Sequence, residues 1–138
     1  MGRILAIDYG LKRTGIAVTD PLRIIASGLT TVETKELMNF LKQYCDTEEV
    51  DQFVVGLPMY KDDTPAQISP QVDQFCEALQ KQFADKPVFR YDERYTSKNA
   101  SKIILNSGVK KSKRRDKALV DKIAAALILE QYMEANFW

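Results

Sequence analysis

Apolar and polar positions fall into short, sharply bounded runs along the 138 residues of the chain. Ile4 to Asp8 and Gly15 to Thr19 are β-rich runs, and the polar loop between them holds Gly10, Lys12 and Arg13. That arrangement predicts a hairpin. A third β-rich run, Ile24 to Val32, follows the Asp20-Pro21 break. The period then changes. Leu37, Phe40, Leu41 and Tyr44 stand at i, i+3, i+4 and i+7, which predicts an amphipathic helix near Thr34–Tyr44. Gln52 to Gly56 reads as a buried strand closing at Gly56-Leu57-Pro58, before a loop with Lys61, Asp62, Asp63, Thr64 and Pro65.

A second helix is expected with Ser69 as N-cap and Pro70 at its first position, burying Val72, Phe75, Cys76, Leu79 and Phe83. Pro87 introduces the strand Val88 to Tyr91, which runs into Asp92-Glu93-Arg94. Thr96 or Ser97 can cap a short helix that stops at Gly108. A final helix of about twenty residues ends near Ala135. No repeat, low-complexity tract or linker interrupts residues 1–138, so the expectation is one α/β layer domain. Its opening strands should be antiparallel and its later ones parallel.

Composition narrows the chemistry. At 45% hydrophobic and 28% charged residues, the chain reads as an ordinary globular protein. Its longest apolar run, Ile123 to Leu129, is too short to span a membrane, and the strand-like start is read as leaving no signal peptide. The absence of histidine removes catalytic triads, Cys-His dyads and His-ligated zinc. Cys76 reads as small core filler and Cys45 sits near a helix end, and both fit a reducing, cytoplasmic setting. Catalysis would have to run on carboxylates, lysines, hydroxyls and hard metal ions.

Three acidic positions are placed suggestively. Asp8 closes the first strand, Asp92 and Glu93 close the last, and Asp121 shares a helical face with Ala124, Ala125, Ile128 and Tyr132. An aspartate in a core-facing stripe is tolerated when it is paired or metal-bound. The small Ala124 and Ala125 would let that helix approach the sheet closely. Each acid has a plainer reading: a turn aspartate at Asp8, a solvated ion pair in Asp92-Glu93-Arg94, and a bridge from Asp121 to Lys117 one turn earlier. Jointly they describe an oxygen-only site for Mg²⁺ or Mn²⁺, suited to phosphoryl chemistry.

Charge points the same way. The net charge of +1 conceals a block, residues 110–117, of net +5, which leaves −4 for the rest. Lys110, Lys111, Lys113, Arg114 and Arg115 in this block, together with Lys12, Arg13 and Arg94, are candidate nucleic-acid contacts. Charge runs are usually solvated surface, but this one adjoins the helix bearing Asp121.

Four motifs then occur in order. They are Asp8-x-Gly10-x-Lys12-x-x-Gly15-x-Ala17, Gly56-Leu57-Pro58, Asp92-Glu93-Arg94-x-Thr96-Ser97 and Asp121-Lys122-Ile123-Ala124-Ala125. Together they resemble the bacterial YqgF family, Holliday-junction-resolvase-like proteins of RNase H-like fold that are described as pre-16S rRNA nucleases. The resemblance runs from Ile4 to Met133. It implies a three-layer fold with a mixed five-stranded sheet, and a cytoplasmic, metal-dependent nuclease acting on the 5′ end of pre-16S rRNA. It also implies an acid set of Asp8, Glu93 (favoured over Asp92) and Asp121. The expected partner is nucleic acid, structured RNA or branched DNA, bound by a monomer or weak homodimer with no membrane contact. The chain departs from the family at Lys61-Asp62-Asp63-Thr64, where a glycine usually stands at the position of Asp63. Two alternatives remain. The Asp8-x-Gly10 hairpin is similar to the phosphate loop of actin-like and sugar-kinase ATPases, but those enclose nucleotide between two such domains. A non-catalytic nucleic-acid-binding or ribosome-assembly protein of the same fold is the stronger rival.

Overall fold

The computed structural model describes residues 2–57, 69–92 and 117–138, with Leu57, Ser69, Asp92, Lys117 and Ala118 described by their backbone only. Its elements are β1 (Arg3–Asp8), β2 (Arg13–Thr19), β3 (Ala26–Glu33), a 3₁₀ turn (Thr34–Glu36), α1 (Leu37–Thr47), β4 (Val50–Leu57), α2 (Ser69–Gln82), β5 (Val88–Asp92) and α3 (Lys117–Asn136). The strands form one sheet in the order β3-β2-β1-β4-β5. β1 pairs antiparallel with β2, and β2 with β3, whereas β4 lies parallel to both β1 and β5. The expected antiparallel opening and parallel continuation are therefore present.

Alternation along β1 explains the layering. Leu5 and Ile7 point to one face, where they meet Leu37 and Leu41 of α1 and Val72, Cys76 and Leu79 of α2. Ile4 and Ala6 point to the other, against Ala125, Ile128, Leu129 and Met133 of α3. Because β1 is covered on both faces, it reads as a continuous apolar run and not as an alternating one. Burial pushes the thiols of Cys45 and Cys76 above their usual range, and Cys76 packs in the core as expected.

Boundaries shift where tertiary contacts override local pattern. β2 begins at Arg13, not Gly15, because Arg13 pairs with Glu33 across the sheet. β3 starts at Ala26, since Ile24 and Ile25 donate their N–H groups to the Asp20 carboxylate and form a turn. The first helix opens with a 3₁₀ turn, and its α portion reaches Thr47. β4 extends over Val50–Leu57, and Ser69 itself begins α2. The helix expected between Thr96 and Gly108 lies outside the described residues, as does the loop around Asp63.

The approach of α3 to the sheet is unusually close at one point. A methyl group on Gly15 would collide with the Asp121 carbonyl, so only glycine lets the helix settle at that depth. Gly15→Ala should therefore cost about 1–3 kcal/mol through forced separation of α3 from β2. Urea unfolding measures this directly. An unchanged midpoint would show that the helix does not need the contact.

Candidate functional site

Asp8 stands directly opposite Gly15 in the β1–β2 ladder, and Gly15 lies beneath Asp121 of α3. By strand alternation Asp8 belongs with Ile4 and Ala6, the residues that face α3. Two of the predicted acids, 113 positions apart in sequence, thus lie on one side of the sheet as neighbours of Gly15, near the carboxyl end of β1. Asp121 sits where its helical stripe required, one turn before the buried Ala124 and Ala125.

The structure supplies an ion pair for Asp121 from the sheet, while the side chain of Lys117 lies outside what is described. Nε of Arg13 donates to Oδ2 of Asp121 at 3.0 Å, with side-chain exposures of 39% and 25%. Arg13, expected in a phosphate-contacting loop, is instead the first residue of β2 and points toward α3 like Gly15 and Ala17. The odd-numbered alternation of β2 made that shared face legible. Nothing in the sequence indicated the acid 108 positions away.

The turn before Arg13 is braced by hydroxyls. The Thr34 hydroxyl donates to the Gly10 carbonyl at 2.6 Å and lies 2.9 Å from the Thr14 hydroxyl. Each hydroxyl has one proton, so Thr14 must donate to Thr34. The Gly10 N–H completes the ring with a long contact, 3.5 Å, to the Thr14 oxygen. A backbone bond from Thr34 N to Lys12 O, 2.9 Å, fixes the far side of the turn. This places exposed Lys12 at the rim of a shallow depression of about 370 Å³, lined by Leu11, Lys12, Arg13, Glu33 and Lys35. Lys35 was not among the residues singled out by sequence. A larger depression beside α1, about 480 Å³, includes none of the candidate site residues.

On β5, Leu57 pairs with Asp92, so the backbone of Asp92 reaches the same sheet edge as Asp8. It lies two strands from β1, about 10 Å at ordinary strand spacing. Glu93, Arg94 and Lys110, Lys111, Lys113, Arg114 and Arg115 lie outside the described residues. Among the described residues no three potential metal ligands cluster. Asp8 and Asp121 are the two described candidates. Both offer only hard oxygen donors, and Oδ1 of Asp121 is not the atom bonded to Arg13, so they fit part of a Mg²⁺ or Mn²⁺ coordination sphere.

Known proteins share this architecture and sequence. Residues 2–135 match the family described as "RuvX: Holliday junction resolvase". A protein of Christiangramia forsetii named "Putative pre-16S rRNA nuclease" is 52% identical over 133 residues, covering 96% of this chain and 98% of that protein. One of Porphyromonas gingivalis with the same name is 49% identical over 134 residues, covering 97% of each. In three dimensions the chain is similar to Thermus thermophilus RuvC solved with a Holliday junction substrate. That match has a TM-score of 0.57 at 17% identity and covers 99% of this chain and 97% of that one. A second T. thermophilus RuvC structure matches with a TM-score of 0.53 at 14% identity, over 96% and 95%. The layered mixed sheet is thus the RNase H-like fold, and with near-complete sequence matches behind its four motifs, the chain belongs to the RuvX family.

Proposed function

We propose that the protein is a metal-dependent nuclease that hydrolyses phosphodiester bonds in maturing the 5′ end of pre-16S rRNA. The juxtaposition of Asp8 and Asp121 across Gly15 carries this reading. Two carboxylates on one side of a sheet edge, in a chain without histidine, favour a hard divalent cation over any other catalytic device. The names of the relatives supply the substrate class.

Mg²⁺ or Mn²⁺ held there would acidify a water and neutralise charge on the leaving oxygen. Asp8, Asp121 and Glu93 are the proposed ligands. Phe89 and Tyr91 face Tyr132 of α3, whereas Arg90 faces Asp73 of α2. Odd-numbered positions of β5 therefore belong to the side on which Asp8 and Asp121 meet, and Glu93 shares their parity. That supports Glu93 over Asp92. Lys12, Arg94 and the basic block would hold phosphates without reading bases. Among the described residues no helix is long and apolar enough to cross a membrane.

The second reading, a non-catalytic nucleic-acid-binding or ribosome-assembly protein, draws on the Arg13–Asp121 pair, because an acid committed to a structural cation need not serve a metal. Cleavage of end-labelled pre-16S leader RNA and a four-way DNA junction, with Mg²⁺, Mn²⁺ or EDTA, separates the two. Metal-dependent cleavage of the RNA is expected, falling about a hundredfold or more in Asp8→Asn and Asp121→Asn. Full activity in either variant would remove that acid from catalysis.

Without metal, Asp121→Asn should cost no more than about 1 kcal/mol, because its ion pair is partly exposed. A much larger loss in a metal-free melt would favour the structural reading. Replacing Lys110, Lys111, Lys113 and Arg114 with Ala should weaken RNAs of all sequences alike. It should also reduce the slope of log affinity against log salt by about three. An unchanged slope would make the block solvated surface.

A further inference from the structure

We infer that Arg13 is the resident counter-ion of the candidate metal site, holding Asp121 in the metal-free protein and competing with the divalent cation for it. This inference rests on the proposed metal site. Three observations carry it. The guanidinium meets Asp121 through a single atom pair, Nε to Oδ2 at 3.0 Å, and not through a two-pronged clasp. Both partners keep contact with solvent, so exchange needs no unfolding. Arg13 also lines the depression shared with Leu11, Lys12, Glu33 and Lys35, which gives its side chain somewhere to go while β2 stays paired.

The physical consequence follows from charge. Asp8 and Asp121 brought together on one side of the sheet would repel, and a positive group between the elements offsets that repulsion before any metal arrives. The same positive charge opposes entry of a divalent ion. Arg13 must yield Oδ2 for the cation to use both oxygens of Asp121. It is therefore a positioning residue that stabilises the empty site and lowers metal affinity.

The test is a calorimetric titration of Mn²⁺ alone into the full-length wild type, Arg13→Gln, Arg13→Lys and Asp8→Asn, alongside metal-free melts. Arg13→Gln is expected to bind Mn²⁺ about tenfold more tightly than wild type and to melt slightly lower without metal. Arg13→Lys keeps the charge and should stay close to wild type. A merely structural arginine would lower stability without tightening metal binding.

Equal or weaker Mn²⁺ binding by folded Arg13→Gln overturns the inference. The Asp8→Asn arm separates the two failures: equal affinities in wild type and Arg13→Gln that are both well above that of Asp8→Asn leave the metal site standing and remove only the counter-ion role. No binding by any variant overturns both. A second measurement needs no substitution. The Nε–H resonance of Arg13 in a ¹H–¹⁵N spectrum should shift when Mg²⁺ is added, and a resonance unmoved at saturating Mg²⁺ overturns the inference.

Discussion

The depth at which α3 packs on β2 governs the geometry of the rest. Gly15 sets it, since any side chain there would strike the backbone of Asp121. The glycine sits opposite Asp8 in the antiparallel ladder, so the same residue fixes the helix height and the neighbour of the first acid. Ala124 and Ala125, both buried, continue the close contact one turn later. A fold dominated by long-range strand pairing thus brings two distant acidic residues to the same glycine through a backbone approach.

Electrostatics then divides the edge into two zones. On the inner side Arg13 holds Asp121, and on the outer side Lys12 and Lys35 flank the depression with Glu33. The hydroxyl ring of Thr14 and Thr34 keeps the intervening turn in place. A polyanion approaching this edge would meet the lysines first. Asp8 and Asp121 are less exposed than either lysine.

Much of this was legible in the sequence because it depends on period. The strand at β1, the stripe on α3 and the inward Asp121 all follow from spacing, and the buried Ala124, Ala125, Ile128 and Tyr132 match that stripe. What escaped was cross-chain pairing. Arg13 looked like a loop cation because its membership of β2 depends on Glu33, twenty positions on. Helical spacing offers Asp121 only neighbours such as Lys117, whereas the sheet brings up Arg13 from far along the chain. The exposed Ile24 and Ile25 read as strand, yet the Asp20 carboxylate draws both of their N–H groups into a turn.

The central claim is that Asp8 and Asp121 share one divalent cation above Gly15. Affinity cleavage tests it most directly: Fe²⁺ replaces the native ion, ascorbate and peroxide generate hydroxyl radicals, and the chain is cut near the bound metal. The account predicts backbone breaks close to Asp8, Gly15 and Asp121 that excess Mg²⁺ suppresses. Breaks confined to other parts of the chain, or none that Mg²⁺ protects, would contradict it.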